Sequence, residues 1–73
     1  MKLKDKALSA EFLSAVQKCA GEVYFDTSAG DHLNLKSELI ELVFAVIVNK
    51  LDTLDYGITF DARDSDIIGK YLI

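Results

Sequence analysis

The stretch LVFAVIV, Leu42 to Val48, is the longest uninterrupted apolar run in this 73-residue chain. It limits what the chain can fold into. Crossing a bilayer takes about 20 apolar residues of helix, so the run belongs to the inside of a globular domain. A chain of 73 residues has room for one domain, residues 1–73, whose small core has to be used efficiently.

Periodicity alone leaves residues 42–48 open between helix and strand, because Val43, Val46, Ile47 and Val48 are β-branched. The flanks favour a helix from about Ser37 to Leu51. Ser37 stands at a capping position, Glu38 and Glu41 fall in the first turn, and Lys50 lies near the end, an order of charges that suits the helix dipole. Leu39, Leu42, Val43 and Val46 recur at helical spacing within it. Such a run is most often core. In so small a domain, however, a helix apolar on nearly all sides implies a second contact surface, which a homodimer or a docked protein would cover.

The remaining elements follow from shorter signals. Met1 and Leu3 alternate with Lys2 and Lys4, the period of a short edge strand. In AEFLSAVQKCAG, Phe12, Val16 and Cys19 fall on one helical face; Ser9 is placed to cap the start and Gly21 to supply a left-handed stop. EVYFDT and HLNL alternate in strand fashion around the turn cluster Ser28 to Asp31 and predict an antiparallel hairpin. A turn at Asp52 to Asp55, a strand in YGITFDA and a short closing helix, with Asp64 or Ser65 as cap, complete the chain. The order βαββαβα predicts an α+β open-faced sandwich, helices on one face of a mostly antiparallel sheet, with a split βαβ plan.

Composition removes several function classes. Hydrophobic residues make up 51% of the chain and proline is absent, which argues for an ordered domain and against a linker. The net charge is −4, Arg63 is the only arginine and the lysines are scattered, so no basic stripe is available to neutralise nucleic-acid phosphates. MKLKDKALSAEF lacks the apolar core of a secretory signal, and the one cysteine, Cys19, has no partner for an intramolecular disulfide. A soluble, cytoplasmic chain is the expectation, with no nucleic acid and no membrane as partner.

The segment FLSAVQKCAGEVYFDTSAGDHLNLKSELIEL, residues 12 to 42, resembles the phosphocarrier HPr family: a helix, a hairpin, and an Asn-x-Lys-Ser helix start at Asn34 to Ser37. YGITFDARDSDIIGKYL is similar to that family's last strand, acidic turn and final helix. The family carries phosphate on a histidine between its first strand and first helix; here that place is DKALSAEF, with no histidine, arginine or proline. The resemblance therefore implies a bacterial, non-catalytic relative of the phosphotransferase-system proteins that keeps the family's regulatory serine and lacks its carrier chemistry. It makes Ser37 the site a serine kinase modifies, with Lys36 and Leu39 in the surface that the kinase or a regulator reads. Glu38 and Ile40 stand where the family usually has an apolar residue and a glycine. A phosphate on Ser37 would meet the charge of Glu38 as well as a favourable helix N-terminus.

Each site has a plainer reading. Ser37 is a helix cap, Lys36 a solvated charge, His32 a surface imidazole without the second group a triad or metal site needs, and Cys19 a small buried hydrophobe. Asp61, Asp64 and Asp66 lack the spacing of a calcium loop. No catalytic residue, metal ligand or cofactor is expected; a ferredoxin-like enzyme of the acylphosphatase kind is disfavoured by the lone arginine and the missing glycine-rich anion loop. The alternative to a regulatory protein is a structural homo-oligomer or accessory subunit that uses the same scaffold without phosphorylation.

Overall fold

A computed structural model describes residues 1–73 as an α+β fold with three α-helices and one three-stranded sheet. The strands are β1 (Val23–Thr27), β2 (His32–Asn34) and β3 (Tyr56–Phe60), and the helices α1 (Ser9–Val16), α2 (Glu38–Ile47) and α3 (Ser65–Ile68). The sheet order is β2-β1-β3, antiparallel throughout, with Phe25 opposite both Leu33 and Ile58. None of the helices is long and apolar enough to cross a membrane.

Strand alternation separates the two faces of the sheet. Val23, Phe25 and Ile58 turn inward and are buried, whereas Tyr24, Asp26 and His32 share the opposite face. On the inner face Phe44 of α2 meets Phe25 edge-on at 5.6 Å between ring centroids, and Phe12 of α1 lies 6.3 Å from Phe44. Ile68 of α3 and Leu72 close the core. These contacts give the expected α+β class with an antiparallel sheet.

The hairpin turn is where predicted, at Ser28 to Asp31. Gly30 has a φ of 98°, a left-handed value that a side chain resists, and its N–H donates to the Thr27 carbonyl at 3.0 Å. Asp31 and Thr27 close the same loop through their side chains at 2.8 Å.

Several local expectations change. The edge strand at the N-terminus is reduced to backbone pairing of Met1 with Ile58 and a single bridge between Leu3 and Leu72. Ser9 is not the cap of α1: the chain enters through a 3-10 turn, Lys6–Leu8, whose cap is Asp5, and Leu8 holds the position before the helix. Gly21 does not adopt a left-handed stop. It is needed for close approach, since a Cβ there would lie 2.7 Å from the Cβ of Asp61. The run from Leu42 to Val48 is helical, α2 passing into a 3-10 segment at Val48–Thr53, close to the predicted end.

Candidate functional site

The stripe that spacing picks out on α2, without assigning it a side, is the side left outside. Phe44 is 1% exposed and Ile40 and Ile47 pack beside it, while Leu39, Leu42, Val43 and Val46 are 69%, 68%, 40% and 75% exposed. Their spacing of three and four residues places them in one stripe along the helix. Covering a valine or leucine fully contributes about 1.5–3 kcal/mol, so this stripe forgoes a gain the rest of the core takes. A contiguous apolar face of this kind marks an interaction surface more often than a bare exterior.

The start of α2 is held with unusual thoroughness for a loop-to-helix junction. The Asn34 carboxamide oxygen accepts from the Lys36 N–H at 2.9 Å, and its nitrogen donates to Glu22 at 2.7 Å. The Ser37 N–H donates to the Asn34 carbonyl at 3.1 Å, and the Ser37 carbonyl accepts from the Glu41 N–H at 2.9 Å. Gln17, just beyond α1, donates to the Lys36 carbonyl at 3.3 Å and to the Glu41 carboxylate at 2.6 Å. The junction is thereby tied to the C-terminal end of α1.

Ser37 occupies the cap position, with extended backbone (φ −72°, ψ 129°), yet its side chain makes no capping hydrogen bond. Its hydroxyl is left free at a half-buried position beside the first turn of α2. Lys36 is not a solvated charge. It is half-buried, and its ammonium donates to the Cys19 carbonyl at 2.5 Å, in the turn that follows α1. Leu39, two residues after Ser37, is exposed and opens the apolar stripe. The structure thus places Ser37 at the N-terminal end of α2, on the side that leads to Glu41 and Phe44, with Leu39 on the opposite, exposed side, and turns Lys36 to a structural task.

The other reactive side chains lie elsewhere. Cys19 is buried, and burial pushes its thiol pKa up, with Asp64 adding to the rise and Lys36 opposing it. His32 sits on the open sheet face, stacked on Tyr24 at 3.9 Å and 19°, with its Nδ1 against the Asp26 carboxylate. Asp61, Asp64 and Asp66 do not converge on a metal position. Asp61 caps the turn before α3 through the Arg63 N–H at 3.0 Å and pairs with the Arg63 side chain at 3.2 Å.

Asp64 is the residue whose role sequence reasoning missed. It is 1% exposed and accepts the N–H groups of Ala20 at 2.8 Å and Gly21 at 2.9 Å, latching the end of α1 to the start of α3. These two hydrogen bonds hold its carboxyl below the usual carboxylate range; burial works against them, and Arg63 and Lys36 assist. Only the glycine after α1 hinted at a close approach there.

No protein-family model, curated protein or solved structure matches this chain.

Proposed function

We propose that this chain is a non-catalytic, HPr-like interaction protein that docks another protein chain on the outer face of α2, with Ser37 as the residue through which a serine kinase regulates it. The observation that carries this reading is the exposed stripe Leu39, Leu42, Val43 and Val46, on a helix whose N-cap position is held by Ser37 with its hydroxyl free. Modification there adds negative charge at the N-terminal end of the helix that carries the docking face.

The scaffold half of the reading is supported by connectivity. Met1 pairs with Ile58 across the free edge of β3, so the order N-terminal segment, β3, β1, β2 accompanies helices confined to one side. A phosphate on Ser37 would stand at the N-terminus of a ten-residue helix, where unpaired backbone N–H groups and the dipole favour an anion. Glu38 opposes it in part by like charge. The non-catalytic half is supported by the fate of the nucleophiles: the Cys19 thiol is sealed and raised, and the His32 ring is engaged by Asp26 and Tyr24.

Intact mass after incubation with ATP and an HPr-type serine kinase tests the switch. One phosphate on the parent chain and none on Ser37→Ala is the expected result. An unmodified parent chain, with the kinase active on its own substrate, refutes regulation at Ser37.

A further inference from the structure

Charges at the two ends of the α2 face indicate what covers it. Glu38 at its start and Lys50 beyond its end are both exposed. Neither takes part in the ion pairs of the chain, which join Lys6 to Asp52, His32 to Asp26 and Arg63 to Asp61. Glu41, the remaining acid of the first two turns, is occupied by Gln17. The apolar stripe is therefore bracketed by one free negative and one free positive charge.

We infer that the α2 face pairs with the same face of a second copy of this chain, the two helices running antiparallel about a two-fold axis level with residue 44. The inference rests on the reading of this face as a docking surface and names its occupant. In this register Leu42 of one copy lies opposite Val46 of the other, Val43 opposite Ala45, and Glu38 opposite Lys50. Each face is then complementary to itself, as a two-fold interface requires. A parallel arrangement brings Glu38 against Glu38 and Lys50 against Lys50, and like charges repel.

The size of the stripe sets the strength of the pair. From Leu39 to Val46 the helix rises roughly 10 Å. Four apolar side chains and their flanks cover less than the ~800 Å² per partner of a standard stable interface. The dimer is accordingly weak and concentration-dependent.

Sedimentation equilibrium of the full chain from about 1 μM to about 1 mM spans this regime. A monomer–dimer equilibrium is expected, weakened at least tenfold by Val46→Lys and by Leu42→Lys, both at exposed positions whose folding is checked by circular dichroism. Glu38→Lys alone and Lys50→Glu alone should each weaken it several-fold, because each places like charges at both ends of an antiparallel pair. The two substitutions together in one chain should restore it. A chain that stays monomeric throughout overturns the second copy as occupant; phosphorylation of Ser37 is read independently by mass and stands or falls on its own. A dimer indifferent to Val46→Lys and Leu42→Lys overturns the face. A dimer weakened by these but unchanged by the single charge substitutions overturns the antiparallel register.

Discussion

The inner and outer faces of α2 are made of the same kinds of residue and have opposite fates. Phe44, with Ile40 and Ile47 beside it, seals the sheet, while Leu39, Leu42 and Val46, of similar hydropathy, stand in solvent. The difference teaches that hydrophobicity along this helix states how much surface wants cover and leaves open which side obtains it within the chain. Aromatic reach decides: Phe44 contacts both Phe25 and Phe12, and no residue on the outer stripe is large enough to replace that wedge.

The contrast between the faces is most sharply broken from the inside. Phe44→Ala should cost about 3–5 kcal/mol. A chain of this length has a total stability of about 4–11 kcal/mol, so the loss removes a large share of it and should lower the urea midpoint sharply. Val46→Lys, on the other side of the same helix, should shift the urea midpoint by no more than about 0.5 kcal/mol. If the two substitutions cost the same, the two faces are not distinct.

Next in size is the contact between the ends of α1 and α3. Gly21→Ala should destabilise by about 1–3 kcal/mol, as overpacking does, since its Cβ would meet the Cβ of Asp61 at 2.7 Å. Asp64→Asn should also destabilise, because an amide oxygen accepts where the charged carboxylate did but its NH2 opposes the second N–H. It should change the pH profile too. The folded pKa of Asp64 lies below the ordinary value, so the stability it contributes is complete above about pH 4 and is lost as pH falls through the ordinary value toward the folded one. Thermal unfolding of the parent chain between pH 6 and pH 2 should show that slope, and Asp64→Asn should flatten it.

Ser37→Ala is the smallest effect. With no side-chain cap to lose, it should cost less than about 0.5 kcal/mol, the low end for cap substitutions, in the same urea titration. A loss above about 1 kcal/mol would mean that the hydroxyl caps α2 in solution and is not free.

Legibility in the sequence followed the range of the signal. The first helix around Phe12 and Val16, the hairpin around Gly30, the helix after Ser37 and the strand YGITF were readable, because period and turn chemistry act within a few positions, whereas the expected caps of the first helix, Ser9 and Gly21, and its reach to Cys19 were not what formed. Lys36 was read as a solvated charge. Its ammonium instead holds the carbonyl of Cys19, 17 residues earlier in the turn after α1, a fact no local pattern carries. The candidate face was half legible: the excess of apolar surface on α2 was visible, together with its need for cover, whereas the stripe itself was identified by spacing and given no side.

By itself the sequence determined the succession from the first helix to the last, favoured the helical state of residues 42–48 through their flanks, and contained no run long enough for a bilayer-spanning helix. Only the tertiary structure decided which side of α2 turns inward, that Asp64 abandons its own helix to hold Ala20 and Gly21, 44 and 43 residues away, and that Ser37 caps by position alone. The physical reason is common to all three. Each is a competition between partners that are near in space and distant along the chain, and only the packed core, by fixing those distances, chooses among them.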